Sequence, residues 1–290
     1  MTMTQAPIQL KPADYKSNVK PIWCPGCGDF GVLNSFYKMI SDLQLAPERL
    51  AIASGIGCSG RFPAFVNAYG FHGVHGRVLP LATGIKLGNP ELTVYALGGD
   101  GDAFSIGMGH LPHAARRNID ITYVVMDNEI YGLTKGQPSP TSPLGMERKA
   151  SPYGSIDAPL DPLRLVLAAG ATFVARGFSG RPRELTDILK AATLHKGFSF
   201  IQVYSPCVTF YNTYDAYKER VEDLPAEHDQ SDRLAAMRYA SDPDATFLGV
   251  FYHDEQPASY DSLQAGIRDR ARAKGAFDLE KLASRYNTAA

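Results

Sequence analysis

Four cysteines are all the chain has, and they fall in three places. Cys24 and Cys27 lie in Trp23-Cys24-Pro25-Gly26-Cys27-Gly28, Cys58 in Gly55-Ile56-Gly57-Cys58-Ser59-Gly60, and Cys207 in Ser205-Pro206-Cys207. A reducing compartment disfavours structural disulfides, so the even count points to metal binding or thiol chemistry. The Cys-x-x-Cys turn alone reads equally as metal ligands or as a redox dithiol whose attacking thiol a following helix would acidify; two inert thiols are the third reading. Cys58 and Cys207 sit on turns after apolar runs, where a ligand is more natural than a buried small hydrophobe. Structural zinc usually takes two close knuckles, and the second is missing here. A [4Fe–4S] cluster accepts thiolates from scattered segments, so the spacing favours a cluster.

The second chemical signal is Leu97-Gly98-Gly99-Asp100-Gly101-Asp102-Ala103-Phe104. An apolar run ends there, turns through glycines and enters a helical pattern. Glycines let the backbone approach a phosphate, and free amides at a helix start favour an anion. Asp100 would repel a bare pyrophosphate, so a cation belongs between them. Magnesium fits, because it takes one or two protein oxygens and fills its octahedron with phosphate and water. A lone Gly-Asp-Gly is also ordinary turn chemistry. It gains specificity from Asp127-Asn128 at the end of the next apolar run, which parallel strands would bring beside Asp100.

Gly99-Asp100-Gly101 followed by Asn128 resembles the thiamine pyrophosphate motif. In that motif the Asp, the Asn and a main-chain carbonyl two residues on hold magnesium, which implies Mg2+ on Asp100, Asn128 and the Ile130 carbonyl. The runs WCPGCGDF, SGIGCSGRFPAF, HGVHGRVLPLATGIKLGNP and GGDGDAFSIGMGHLPHAARRNIDITYVVMDNEIYGLTKGQPSPTSP, with the later SPC, resemble the β subunit of 2-oxoacid:ferredoxin oxidoreductases. The likeness spans about Pro21 to Cys207 and is strong through Gln137. The string Tyr131 to Gln137 and the following SPTSP are most similar to the 2-oxoglutarate branch.

The resemblance implies cluster ligands at Cys24, Cys27, Cys58 and Cys207. It implies a thiamine pyrophosphate site lined by Ile56, Gly57, Cys58, Ser59, His75, Gly99, Asp100, Gly101, Asp102, Asn128, Gly132, Leu133 and Thr134. Arg61 falls where the family has a basic substrate-contacting residue; a plain surface arginine is the other reading. The implied reaction is thiamine-dependent oxidative decarboxylation of 2-oxoglutarate with coenzyme A to succinyl-CoA and CO2, electrons passing through the cluster to ferredoxin. Pyruvate or branched-chain 2-oxoacids are alternative substrates. Thiamine enzymes also need a glutamate against the aminopyrimidine ring, normally on a separate domain for which this chain has no room. An α subunit is expected to supply it, in an (αβ)2 or larger hetero-oligomer in which this chain is inactive alone. The rivals are a non-redox thiamine decarboxylase or synthase half with idle cysteines, and a zinc-bearing or thiol-switch scaffold.

Short apolar runs at Leu50–Ala53, Leu92–Leu97, Ile121–Met126, Thr172–Ala175 and Phe200–Tyr204 read as buried parallel strands. Helical patterns at Phe30–Leu43, Phe104–Arg117, Leu163–Ala169 and Arg183–His195 alternate with them. That order predicts an α/β fold: a doubly wound, mainly parallel sheet of the diphosphate-binding type, with Cys58, Asp100, Asn128 and Cys207 all following the carboxyl ends of strands. Pro112 conflicts with the second helix, and His110 and His113 read as helix-face residues. The division expected is 1–212 for the cofactor and cluster domain and 213–290 for a C-terminal extension contacting a partner. Pro138 to Pro162 holds six of the twenty prolines and no regular pattern, which is more often functional than idle. Thr213 to Ala245 carries nine acidic and four basic residues and reads as a solvated segment or a partner-wrapping arm, before an apolar strand at Phe247–Tyr252 and a charged terminal helix.

At 290 residues the chain buries enough surface to fold without staples. Its 29 basic and 30 acidic residues argue against general nucleic-acid binding. No apolar run approaches membrane-spanning length, and the first twenty residues lack a signal-peptide pattern. The expectation is a cytoplasmic protein with no membrane or nucleic-acid partner.

Overall fold

The computed structural model describes residues 9–275 and 278–286; the start of the stretch read for a signal peptide lies outside them. In chain order the elements are α1 (Asp29–Asp42), β1 (Leu50–Ser54), β2 (Tyr69–His72), α2 (Val78–Gly88), β3 (Thr93–Gly99), α3 (Asp100–Phe104), α4 (Leu111–Arg117) and β4 (Ile121–Asp127). The short hairpin β5 (Ile130–Tyr131) and β6 (Gln137–Pro138) follows, then α5 (Pro162–Ala168), β7 (Phe173–Phe178), α6 (Pro182–Leu194) and β8 (Phe198–Tyr204). Beyond these lie α7 (Tyr214–Arg220), β9 (Val221–Asp223), α8 (Arg233–Ala240), β10 (Thr246–His253), α9 (Tyr260–Ala273) and α10 (Leu279–Ala283).

Eight strands form one sheet in the order β2-β1-β3-β4-β8-β7-β10-β9. Neighbours run parallel except β10 against β7. The fold is the expected α/β arrangement with a mainly parallel sheet. β4 occupies the centre, and all seven of its residues are buried because helices cover both faces. Its alternate residues feed two cores. Val124 and Met126 pack with Phe36, Ile40 and Leu189 under α1 and α6, whereas Tyr123 and Val125 pack with Leu79, Leu111 and Phe251 under α2, α4 and α8. Among the described residues no helix is long and apolar enough to cross a membrane.

Several elements depart from the sequence reading. The helix expected over Phe104–Arg117 is split: α3 ends at Phe104, a 3-10 turn covers Met108–His110, and α4 starts with Pro112 in its first turn. There the missing N–H costs nothing. The sequence reading had no helix at Val78–Gly88, because this segment contains Pro80 and shows no regular polar face. Its Lys86 is buried against the Asp120 carboxylate at 2.7 Å and the Leu92 carbonyl at 3.0 Å. The acidic stretch after Thr213 is not a loose solvated run. Tyr217, Val221, Ala236 and Ala240 are buried, and the Tyr217 ring stacks on Tyr204 at 4.2 Å. β9 and β10 extend the same sheet beyond residue 212.

One buried histidine, at the amino-terminal end of β7, makes stability pH-dependent. Thr172 donates to Asn118 Oδ1 at 2.6 Å, leaving its oxygen to accept from His195 Nε2 at 2.7 Å. His195 Nδ1 is buried without a partner, beside Phe173 and His253. Burial, and then His253, push the His195 pKa down to about 4, with Asp120, Glu255 and Asp254 opposing. The unfolded chain therefore binds this proton more tightly, at an ordinary value near 6.5. Stability should fall as pH drops from about 6.5 toward 4, by up to about 3 kcal/mol from this group alone. Urea unfolding at pH 7 and pH 5 checks it: His195→Gln should lose less stability between the two pH values than the parent. An equal loss in both would remove His195 as the cause.

Candidate functional site

The turns leaving β1, β3 and β4 open on the carboxyl edge of the sheet and wall a cavity of about 450 Å³. Ile56, Gly57, Cys58 and Ser59 come from the first turn, and Gly99, Asp100, Gly101 and Asp102 from the second. Asn128, Ile130, Tyr131, Gly132, Leu133 and Thr134 come from the third, with His75 and Gln137 completing the wall. The volume is in the range of small-ligand sites. All thirteen positions expected to line a thiamine pyrophosphate site are brought together here.

Close approach explains the glycines. A Cβ on Gly101 would lie 2.2 Å from the Tyr131 ring, and one on Gly55 would lie 2.0 Å from the Asp102 carboxylate. Asp102 is a clamp as well as a wall residue. Its Oδ1 accepts from the Ile56 and Gly76 amides, each at 2.8 Å, and so ties the loop after β1 and the loop before α2 to the β3 turn. Burial still raises its pKa, these amides and His75 offsetting that in part. His75 Nδ1 sits 3.1 Å from Asp102 Oδ1 but is not aligned for a hydrogen bond.

α3 is a single short turn, so free amides rather than a long helix dipole are what it offers an anion. The larger electrostatic feature is a pair of buried carboxylates. Asp100 Oδ2 accepts from Ser139 Oγ and, at 2.9 Å, from Thr141 Oγ1; Asp127 accepts from Thr141 Oγ1 at 2.8 Å and Gln202 Nε2 at 2.7 Å. Thr141 has one hydroxyl proton for two acceptors. Burial, then the Asp127 charge, push Asp100 well above the ordinary carboxylate range, and burial raises Asp127 too. Such a pair is short of positive charge, which a proton or a bound cation supplies.

The other magnesium candidates fit that need. Asn128 Oδ1 accepts from the Ile130 amide at 3.1 Å and keeps a lone pair. Across the β5–β6 hairpin, Ile130 faces Pro138, which has no N–H to give its carbonyl. Glu129 between them has φ +58, and its carboxyl, accepting from Tyr217 OH at 2.7 Å, is pushed up to about 7, chiefly by burial. Ser139, Thr141 and Ser142, which the sequence reading left unassigned, are buried against this centre. The signal for them was the proline-rich irregular run itself. Tyr131 and Gln137 also line the cavity unforeseen, although both lie in the string that carried the resemblance.

The cysteines converge beside the cavity. A Cβ on Gly132 would lie 3.5 Å from Cys207 Sγ, 3.8 Å from Cys58 Sγ and 3.9 Å from Asn128 Nδ2. Cys27 feels the charge of Cys207 and Cys58, and Cys58 that of Cys24. Among the described residues no three His, Cys, Asp or Glu side chains are close enough to grip one metal ion. The helix start does not acidify the Cys27 thiol. Burial and then Asp29 push the Cys27 thiol far up and the Cys58 thiol to about 11. Arg61 lies on the 3-10 turn after Cys58, where its charge partly offsets that shift, but it does not line the cavity. His110 and His113 lie outside the cavity too, His110 Nε2 being 3.1 Å from Arg77.

The fold and the cavity define a thiamine pyrophosphate-binding domain. Residues 55–203 match the family model of the thiamine pyrophosphate enzyme C-terminal TPP binding domain. Residues 207–269 match the family model for the C-terminal part of the pyruvate ferredoxin oxidoreductase β chain. The chain belongs to the 2-oxoacid:ferredoxin oxidoreductases and is a β subunit of that family. It is 40% identical over 262 residues to subunit beta of 2-oxoacid:ferredoxin oxidoreductase 2 of Aeropyrum pernix, covering 86% of this chain and 85% of the other. It is 42% identical over 253 residues to the 2-oxoglutarate synthase subunit KorB of Methanothermobacter thermautotrophicus, covering 86% and 88%. A 2-oxoglutarate:ferredoxin oxidoreductase from Magnetococcus marinus, solved with 2-oxoglutarate, coenzyme A and succinyl-CoA bound, superposes with a TM-score of 0.91 at 45% identity over 95% of each chain.

Proposed function

We propose that this β subunit oxidatively decarboxylates 2-oxoglutarate, releasing CO2, passing the succinyl group to coenzyme A and two electrons through a [4Fe–4S] cluster to ferredoxin. The observation that carries the redox part is Gly132, a single wall residue at which a Cβ would meet both Asn128 and two of the thiols. Electrons leaving a cofactor in the cavity would have little protein to cross. The substrate preference rests on the 2-oxoglutarate relatives and on the solved structure that holds 2-oxoglutarate.

In this reading Asp100, Asn128 and the Ile130 carbonyl hold Mg2+ against the diphosphate. Bound thiamine pyrophosphate supplies the carbon–carbon bond cleavage. Asp102 keeps the loops carrying Ile56 and His75 closed on the cavity through its two backbone hydrogen bonds. Gly101 leaves room for Tyr131, whose hydroxyl donates to the Gly101 carbonyl at 3.3 Å. Cys24, Cys27, Cys58 and Cys207 bind the cluster. Arg61, which lies outside the cavity wall, is proposed to reach a distal carboxylate extending beyond it, a pairing that suits a guanidinium.

Val74, Ile106 and Leu133 are exposed apolar side chains on segments bordering the cavity. Such a rim favours a covering partner: an α subunit that completes the cofactor site, in an (αβ)2 or larger assembly in the cytoplasm, with residues 213–290 contributing to the contact.

The test is anaerobic co-production with the α subunit, followed by iron, sulfide, magnesium and thiamine analysis and assays with 2-oxoglutarate, pyruvate and a branched-chain 2-oxoacid. Four irons, four sulfides and one thiamine per β chain are expected, with the highest kcat/KM for 2-oxoglutarate. Faster turnover of pyruvate would reassign the substrate, and thiamine without iron would remove the redox role.

A further inference from the structure

We propose that Asp29 is the positioning residue that holds the Cys24–Cys27 and Cys207 turns in register for the cluster, an inference that rests on the four-cysteine cluster reading. Asp29 opens α1 two residues beyond Cys27 and is 1% exposed. Its Oδ1 accepts from Ser205 Oγ at 2.6 Å, and Ser205 stands two residues before Cys207. Next to it the Gly28 amide donates to the Pro206 carbonyl at 3.1 Å. That approach is so close that a Cβ on Gly28 would lie 2.6 Å from the Ser205 carbonyl carbon. The third turn is tied to the same segment separately, the Trp23 indole Nε1 donating to the Cys58 carbonyl at 2.7 Å.

An acid in the first turn of a helix ordinarily serves the helix, satisfying its free amides or its dipole. Asp29 does neither through a capping bond: α1 has no side-chain cap, and the carboxylate bonds to a residue 176 positions away. Its Oδ2 is buried with no hydrogen-bond partner, and no ion pair reaches it among the described residues. A buried carboxylate left half-satisfied costs folding energy. Such violations of polar satisfaction concentrate at functional centres. The cysteines come from turns distant in sequence, so nothing local fixes their mutual spacing. The Asp29–Ser205 bond fixes it for two of them.

Groups that orient metal ligands typically account for 10–100-fold in metal retention. The parent, Asp29→Ala and Asp29→Asn chains are co-produced anaerobically with the α subunit, and iron release to a chelator is timed. Asp29→Ala should release iron about 10–100-fold faster than the parent. Asp29→Asn, which keeps an acceptor for Ser205, should restore retention to within a few-fold. If Asp29→Ala fails to fold, Ser205→Ala breaks the same bond from the other side and carries the same expectation. Parental release rates in the alanine variant would overturn the proposal, as would an asparagine variant that loses iron as fast as the alanine one. A parent chain that binds no iron would instead overturn the cluster reading, which separates the two failures.

Discussion

Asp100→Asn is expected to weaken binding of magnesium and thiamine pyrophosphate by about two to three orders of magnitude while leaving the cofactor-free chain as stable as the parent, or more so. Losing one partner of a buried charge pair typically costs about 3–5 kcal/mol, and each 1.4 kcal/mol is about tenfold in affinity. The stability half follows from the charge imbalance. Asp100 and Asp127 are both buried, share the single Thr141 proton, and have pKa values raised chiefly by burial. An amide at residue 100 removes one of the two mutually repelling charges and can still accept a hydrogen bond from Ser139 or Thr141. Calorimetric titration with Mg2+ and thiamine pyrophosphate, paired with urea unfolding of the cofactor-free chain, reads both halves. Parental affinity in the variant would rule out Asp100 as the cation ligand. A large loss of stability would show that the carboxylate is structural first.

Cys24→Ala should abolish ferredoxin reduction and lower the iron content to background, while thiamine pyrophosphate binding stays at the parental level. Cys24 is the exposed member of the four and does not line the cavity. Its loss removes a ligand without disturbing the wall that Cys58 shares with the cofactor. An exposed side chain away from packed features changes stability by within about 0.5 kcal/mol, so misfolding should not confuse the result. Iron analysis, thiamine analysis and ferredoxin-coupled turnover on one preparation distinguish the outcomes. Unimpaired turnover would favour the non-redox thiamine enzyme with idle cysteines.

Much of the fold was legible because its central strands are short, largely buried and rich in branched or aromatic residues. β1, β3, β4, β7, β8 and β10 were each read from sequence to within a few residues. The Gly-Asp-Gly turn and Asn128 were legible for a related reason: strand, turn and helix start are local, and a parallel neighbour fixes the second residue. Where local signals were weak, the reading missed. α2 carries Pro80 and little polar patterning, and it is helical because its apolar side chains fill one core. The segment after Thr213 looked solvated by composition, yet Tyr217 found Tyr204 to stack on.

The sequence by itself determined the chemistry on offer: four thiols, a glycine-flanked aspartate and an asparagine one strand later. Only the tertiary structure decided what surrounds them. Ser139 and Thr141 reach Asp100 from a loop without regular pattern, Asp127 adds a second buried charge, and Asp29 meets Ser205 from the far end of the chain. These contacts join residues separated by 39 to 176 positions. No period or propensity encodes such a pairing, because it depends on which strands lie side by side once the sheet has closed over its two cores.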